Sequence, residues 1–152
     1  MNKVLKIYNN CKRLPLGGWV FSRLLCFNAP YFSSIRPLIA ELKPHYCKVK
    51  MKKRRAVQNH LKSVHAIAMC NMCELVAGTA LEVSIPPHLR WIPKTMSVDY
   101  LKMAKTDLTG ACEIPTIDWD ATTDLPLIVN VNDTNGTTVL RATILMYLSP
   151  KG

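Results

Sequence analysis

Acidic residues are almost missing from the first part of the chain. Residues 1–62 hold 14 lysines and arginines but one carboxylate, Glu41, and carry a net charge of +13. Residues 63–152 hold 6 basic and 9 acidic residues, a net charge of −3. Such asymmetry indicates an anionic partner for the first part, such as nucleic acid, anionic lipid, a phosphorylated cofactor or an acidic carrier protein. The alternative is a solvated basic face that only aids solubility.

The chain also lacks a clean apolar run of membrane-spanning length. Its most apolar stretch, residues 64–81, includes histidine, asparagine and glutamate and would extend about 27 Å as a helix. No secretory signal is indicated, because polar residues at positions 9–13 interrupt the segment that follows Lys3 and Lys6. We therefore expect a cytoplasmic protein, with no stable membrane insertion and with its six cysteines reduced.

The sequence also lacks the two pairs of ligating residues that a zinc site would normally show. Cys70 and Cys73 form a C-x-x-C, but no further C-x-x-C or H-x-x-x-H follows, as a zinc site would normally show. We interpret both cysteines as small core residues, with a metal or redox role as the alternative. No metal site is expected.

The segment that is most informative is residues 64–81, VHAIAMCNMCELVAGTAL. It is apolar on nearly every face, which is typical of a buried helix. A carboxylate inside such a helix, Glu74, is costly unless it is paired, hydrogen-bonded or functional. We predict a central helix wrapped by a sheet, with Ser63 as its N-cap and Glu74 held in a site. A satisfied structural carboxylate is the alternative.

The spacing of two polar residues in this helix predicts an oligomer. His65 and Glu74 are nine residues apart, which is two and a half turns and about 13 Å of axial rise. They lie on opposite sides, and one small reacting group cannot touch both within one chain. If both act, two copies of the helix must share each site, which predicts a homodimer with composite sites at its interface.

The rest of the chain favours an α+β fold. Pro15, Gly17 and Gly18 divide the N-terminal 30 residues into two short helical pieces. Asn135-Gly136 between two β-rich runs predicts a hairpin. We predict one domain, residues 1–152, in which an antiparallel sheet wraps a long central helix behind an N-terminal helical segment. The predicted strands are residues 35–42, 46–51, 92–104, 108–114, 125–132 and 137–148.

The central segment resembles that of hotdog-fold acyl-CoA thioesterases. In that family a histidine is followed by Gly-Gly, with Asp or Glu nine positions after the histidine. Here His65 precedes Ala66-Ile67, and Glu74 stands at the same distance. The strand that ends at Tyr100-Leu101-Lys102 and the Asn-Gly hairpin also resemble the family. The resemblance covers residues 35–148, the expected hotdog core, with residues 1–30 as a helical extension. The whole pattern looks like a little-characterised bacterial branch.

This resemblance implies a mechanism. The backbone N–H of Ala66 would polarise a thioester carbonyl at the helix start, and Glu74 of the other protomer would act as general base or nucleophile. Asn71, His65 and Asn59 would orient water or substrate. The substitution of Ala66 and Ile67 for the glycines leaves the backbone donor in place but narrows the approach of a ligand.

The resemblance also implies partners. The expected substrate is an acyl thioester of coenzyme A or of an acyl carrier protein, and no cofactor other than the coenzyme A of the substrate is expected. The assembly is a homodimer, or a tetramer built from dimers. The phosphates of coenzyme A or an acidic carrier would meet a run of four cations, Lys52, Lys53, Arg54 and Arg55.

Three other functional classes stay open. A non-catalytic module that binds an acyl or other apolar ligand is favoured by the loss of the Gly-Gly pair, because a fold does not fix a function. Nucleic-acid binding through residues 43–55 has weak support, since Tyr46 is the one aromatic residue there and no specific motif is present. Peripheral membrane contact through the basic N-terminal helices is the third.

Overall fold

The protein, described by a computed structural model over residues 2–152, consists of three α-helices and six β-strands. Two 3₁₀ turns, residues 30–35 and 55–57, precede β1 and follow β2. In chain order the elements are α1 Lys3–Cys11, α2 Gly17–Asn28, β1 Leu38–Lys43, β2 Tyr46–Met51, α3 Ala66–Glu82, β3 Leu89–Tyr100, β4 Leu108–Glu113, β5 Asp124–Asn132 and β6 Thr138–Pro150.

The six strands form one antiparallel sheet in the order β1-β2-β4-β5-β6-β3. Alternate residues of β2, β5 and β6 are buried, as expected for a sheet with one face on a core and one in solvent. The buried face packs against α3, which contacts β2, β4, β5 and β6. The predicted α+β architecture, with an antiparallel sheet around a central helix, is confirmed.

The predicted central helix is confirmed as α3. Its sheet-facing side chains are fully buried, and removal of their apolar surface from water contributes about 0.8 kcal/mol for an alanine methyl group and roughly 1.5–3 kcal/mol for a valine, leucine or methionine. They are Met72, Cys73, Val76, Ala77, Ala80 and Leu81. Cys73 is therefore a core residue, as predicted, whereas Cys70 on the neighbouring turn is half-buried.

The prediction that α3 is buried on all sides is wrong for the single chain. A stripe of Ile67, Cys70 and Glu74 points away from the sheet, and Ile67 is 56% exposed. The Glu74 side chain is likewise exposed rather than enclosed. The reason is geometric: a sheet covers only one side of a helical cylinder, and the N-terminal helices cover only part of the other.

Three local predictions also need correction. The strand expected at residues 92–104 is β3 and covers Leu89–Tyr100. The strand expected at residues 35–42 begins at Leu38, because residues 30–35 form a 3₁₀ turn and Arg36 turns the chain with a left-handed φ of 46°. The N-cap of α3 is His65 rather than Ser63. The Ser63 hydroxyl is bonded to the Asn59 side chain, while His65 Nδ1 accepts a hydrogen bond from the Ile67 N–H at 3.0 Å.

Helices α1 and α2 pack on the domain as two separate pieces, as the breaks in the sequence predicted. Tyr8 and Phe21 meet edge to face with ring centroids 5.1 Å apart. The Ser22 hydroxyl accepts the Ile39 N–H at 2.8 Å, which fastens α2 to β1. The side-chain amide of Asn2 donates to the backbone carbonyl of Glu82 at 2.7 Å, which fastens the start of α1 to the end of α3.

Within residues 2–152, no helix has both the length and the apolar character needed to cross a bilayer.

Gly17, the first residue of α2, has no room for a side chain. A Cβ at this position would lie 1.9 Å from the Cys11 carbonyl oxygen at the end of α1. We predict that Gly17→Ala lowers the free energy of unfolding by about 2 kcal/mol, although alanine favours helices in general. Chemical denaturation measures this. The control is Phe27→Ala on the exposed side of the same helix, expected within about 0.5 kcal/mol of the parent. Equal stability of the Gly17 variant would contradict the close packing of α1 on α2.

Candidate functional site

An apolar cleft of about 690 Å³ lies between the N-terminal helices and the C-terminal half of α3. Its volume and lining are those of a small-molecule site. The polar residues of its lining are few, namely Lys3, Asn28, Glu74, Thr79 and Glu82. The apolar walls come from α1, α2, the 3₁₀ turn at residues 30–35, α3 and β3, namely Val4, Ile7, Phe21, Leu24, Leu25, Phe32, Leu75, Gly78, Trp91 and Pro93.

Trp91 of β3 forms one fixed wall of this cleft. Its ring packs so closely on Gly78 that a Cβ there would lie 2.8 Å from ring atom Cη2. The indole Nε1 donates a hydrogen bond to Glu82 Oε2 at 2.9 Å. Sequence reasoning missed this wall, although a glycine inside an otherwise apolar helix is a signal of close approach.

Glu74 stands where the cleft meets a smaller cavity of about 280 Å³. The smaller cavity is walled by Asn71 and by residues 29–32. In the described part of the chain, residues 2–152, no hydrogen bond or ion pair occupies the Glu74 carboxylate. A free carboxylate beside an apolar cleft can accept a proton from water or attack a bound electrophile.

The start of α3 offers a hydrogen-bond donor to a ligand. The Ile67 N–H is taken by His65, but Ala66 is the first residue of the helix and its N–H meets no acceptor within residues 2–152. The positive end of the helix dipole adds to this donor. Ala66 and Glu74 are eight residues apart, about 12 Å along the axis, so one chain does not bring them together.

His65 serves as the cap of α3. Because its Nδ1 accepts the Ile67 N–H, that nitrogen carries no proton in this arrangement. The backbone N–H of His65 donates to the Val57 carbonyl at 2.8 Å, so the backbone before the helix is fixed as well. The imidazole is exposed and its polar contact is local, which is the structural role of an N-cap.

Asn71 lies beside Glu74, as the sequence predicted. Its Nδ2 donates to the Ser34 hydroxyl at 3.1 Å, and its buried Oδ1 has no partner among the residues described. A buried amide oxygen without a partner is unusual, and it borders the small cavity that Glu74 also lines. The pair can hold a water molecule between them.

Asn59 is not directed at the cleft. Its Oδ1 accepts the N–H groups of Leu61 and Ser63 at 2.9 and 3.2 Å, and its Nδ2 donates to the Ser63 hydroxyl at 3.0 Å. These bonds use both polar atoms of the side chain. Asn59 therefore shapes the loop before α3, and its role in orienting substrate stays a prediction.

The four cations of the predicted phosphate site have different surroundings. Lys52 and Arg55 are exposed. The backbone N–H of Lys53 donates to Asp107 Oδ1 at 2.8 Å. Arg54 is half-buried: its Nη2 donates to the Ser34 carbonyl, and its Nε is buried without a partner. Ser34 also accepts a hydrogen bond from Asn71, so Ser34 alone links Arg54 to Asn71. Asn71 and Glu74 line the small cavity, and we call this pair the Asn71–Glu74 corner.

Arg54 also has a second guanidinium, Arg36, as a neighbour. Burial lowers the pKa of Arg54, and the positive charge of Arg36 lowers it further. Neither arginine forms an ion pair with a carboxylate in residues 2–152. Two like charges held together without a counter-charge are destabilised until an anion arrives, and guanidinium groups match phosphate geometry well.

Strand β3 borders the open stripe of α3. Trp91 lies at Gly78, and at the other end Tyr100 reaches Cys70. Burial raises the pKa of the Cys70 thiol, and the hydrogen bond with Tyr100 partly offsets that shift. Strand β3 pairs only with β6, and most of its 12 residues are exposed. A long edge strand with free backbone groups is a template for pairing with another chain.

The sequence matches the domain of unknown function DUF4442 over residues 17–148. The chain belongs to this family. It is 40% identical to a crystal structure of a structural-genomics target, with a TM-score of 0.87 over 97% of this chain and 99% of that one. No relative is found among curated proteins.

Two more distant solved structures establish the fold. One is a Pseudomonas aeruginosa protein of unknown function, 19% identical, with a TM-score of 0.75 over 91% of this chain and 97% of that one. The other is a Haemophilus influenzae thioesterase, 8% identical, with a TM-score of 0.73 over 84% and 87%. The predicted resemblance to hotdog-fold thioesterases is confirmed at the level of the fold.

Substitution of His65 separates capping from chemistry. We predict that His65→Ala destabilises the protein by about 1 kcal/mol, because the Ile67 N–H loses its acceptor. His65→Asn should recover most of that loss, since its side-chain oxygen can accept the same bond. Thermal denaturation of the three proteins measures this. If asparagine is no better than alanine, the imidazole does more than cap the helix.

Proposed function

We propose that this protein hydrolyses acyl thioesters of coenzyme A at composite sites in a homodimer. The observation that carries the proposal is the unpartnered Glu74 carboxylate at the end of an apolar cleft on the exposed stripe of α3. The cleft suits an acyl chain, and the carboxylate suits activation of water. Thioesterases of the same fold are consistent with this assignment.

A dimer formed through β3 would complete the site. Trp91 lies at the Glu74–Gly78 end of the exposed stripe and Tyr100 lies at the Cys70 end. Strand β3 therefore runs antiparallel to α3. Antiparallel pairing of β3 with the same strand of a second copy would set the start of one α3 beside Glu74 of the other. It would also cover exposed apolar side chains, Ile67, Met96, Tyr100 and Leu101.

In such a site the thioester carbonyl would accept the free Ala66 N–H of one protomer, and the helix end would stabilise the developing oxyanion. Glu74 of the other protomer would take a proton from water while the water oxygen bonds to the carbonyl carbon. The carbon–sulfur bond then breaks, and the proton passes from Glu74 to the leaving thiolate. Asn71 Oδ1 would orient the water. The products are a carboxylic acid and free coenzyme A.

Arg54 and Arg36 would bind a phosphate of coenzyme A. Of the four cations in the run, Arg54 is held in place by a backbone carbonyl and lies next to an arginine without a carboxylate partner. Its place beside Ser34 puts it within one residue of the Asn71–Glu74 corner. Lys52 and Arg55 would contribute only to the long-range attraction of the anionic carrier.

A non-catalytic acyl-binding module is the second candidate. The specific observation in its favour is that Ala66 and Ile67 stand where the resembling thioesterases have two glycines, and the Ile67 side chain is exposed next to the Ala66 N–H that the thioester would use. Retention of acyl-CoA without release of thiol would favour this candidate.

Removal of the Glu74 carboxylate tests the enzyme assignment. We predict that Glu74→Gln lowers kcat for acyl-CoA hydrolysis by at least about 10²-fold, because water loses its general base. The fold should not change, since the side chain is exposed in the single chain, and the oligomeric state should not change, since glutamine has the shape of glutamate. Thiol release over short, medium, long and aromatic acyl-CoAs measures this.

The matched control is Glu113→Gln, which removes an exposed carboxylate from β4. It should leave kcat unchanged. Thiol release that survives in the Glu74 variant at the parent rate would refute the assignment of Glu74. Tight acyl-CoA binding without release in the parent protein would favour the binding module.

Substitution of Arg54 tests the phosphate site. We predict that Arg54→Gln raises KM for acyl-CoA about tenfold, because a charge-assisted hydrogen bond to phosphate is lost. The same acyl group on N-acetylcysteamine, which has no phosphate, should be hydrolysed as before. Lys50→Gln, an exposed cation of β2, is the control and should have little effect. Equal loss with both substrates would mean that Arg54 supports the fold rather than the carrier.

A further inference from the structure

Helix α2 presents an apolar face to solvent. Phe27 is 85% exposed, Trp19 56% and Leu24 45%. Two more large apolar side chains, Leu16 before the helix and Tyr31 after it, are also exposed. Single exposed apolar residues are ordinary, but a contiguous group on one helix marks an interaction surface.

The spacing places this group on one side of the helix. At about 100° per residue, Phe27 lies between Trp19 and Leu24 around the helix, and the three side chains fall within an arc of about 140°. The opposite side is buried against the domain through Phe21, Ser22 and Cys26. Helix α2 is thus apolar on both sides, although only one of them has a partner in the chain.

The segment that forms this face carries cations and no carboxylate of its own, and Glu74 and Glu82 of α3 lie inside the cleft behind it. Residues 2–31 contain five basic residues and no aspartate or glutamate. Arg23 lies over the Trp19 ring, with its guanidinium carbon 5.9 Å from the ring centroid. The other four are exposed and lie on α1 or just after it, namely Lys3, Lys6, Lys12 and Arg13.

The cleft opens on the same surface. Lys3, Ile7 and Leu24 are exposed to solvent and also line the cleft, so they form its rim between α1 and α2. We refer to the exposed side of residues 3–31, including this rim, as the α1–α2 surface.

We propose that the α1–α2 surface docks on an anionic lipid bilayer. Apolar and aromatic side chains flanked by lysine and arginine are what an interfacial helix presents to such a membrane. The 12 residues of α2 extend about 18 Å, too short to cross a hydrocarbon core, so the helix would lie in the plane of the interface. Acyl chains would then pass between the bilayer and the cleft without crossing water.

Charge argues for a lipid rather than a second copy of the chain. A two-fold symmetric contact through this face would set the five cations of residues 2–31 against the same five in the partner, with no carboxylate on either copy of α1 or α2 to offset them. An anionic bilayer neutralises the same charges and accepts the apolar side chains at once. The proposed β3 dimer uses a different face and leaves the α1–α2 surface free.

Vesicle sedimentation of the full chain tests this proposal. The probes are phosphatidylcholine vesicles with and without phosphatidylglycerol, at low and at high salt. We expect binding to the anionic vesicles that weakens as salt screens the charges. Trp19→Ser with Phe27→Ser should weaken binding about tenfold. Lys6→Gln with Lys12→Gln should weaken it roughly fivefold for each charge lost.

The controls remove equivalent groups from other faces. Ile128→Ser takes an exposed apolar residue from the outer face of β5, and Lys105→Gln takes an exposed cation from the loop before β4. Both should bind vesicles like the parent. Absence of vesicle binding, or equal binding by all variants, would overturn the proposal. So would self-association in sedimentation velocity that the Trp19 and Phe27 substitutions abolish without any vesicle binding, because the occupant would then be a second copy.

Discussion

A single rigid helix carries both ends of the candidate site, and this constraint governs the rest of the structure. The rise of α3 keeps Ala66 and Glu74 about 12 Å apart, so no side-chain motion can bring a donor at the first and a base at the second onto one thioester. The sheet secures the helix along one side only. The other side leaves a stripe that β3 borders and that a second copy would complete.

The N-terminal helices add a feature that the helix and sheet alone do not provide. They close over the C-terminal half of α3 and turn its open side into a cleft, with Trp91 fixed against Gly78 as one wall. Glu74 then stands at the meeting point of an apolar volume and a small cavity that Asn71 borders. The same helices carry the exposed apolar face and much of the excess positive charge of the chain.

Much of the fold could be predicted from the sequence, because periodic patterns report burial directly. The all-apolar run predicted α3, and the alternation after Tyr46 predicted β2. Exposure of Glu74 could not be predicted, since a pattern does not say which side of a helix lacks a neighbour. The Trp91 wall was missed because it depends on a contact between residues 13 apart in different elements. The bonds of Asn59 within its own loop could not be predicted either, because a local turn competes for the same side chain that a ligand would need.

The measurement that tests the composite site most directly is subunit complementation. Ala66→Pro removes the donor N–H at a first helical position, where proline is tolerated, and Glu74→Gln removes the base. Each variant alone should be inactive toward acyl-CoA. After the two are unfolded together and refolded, half of the dimers pair one variant with the other, and one of their two sites is intact. The account predicts recovery of about a quarter of the parent activity. Two variants that stay inactive when mixed, although mixed dimers form, would contradict it.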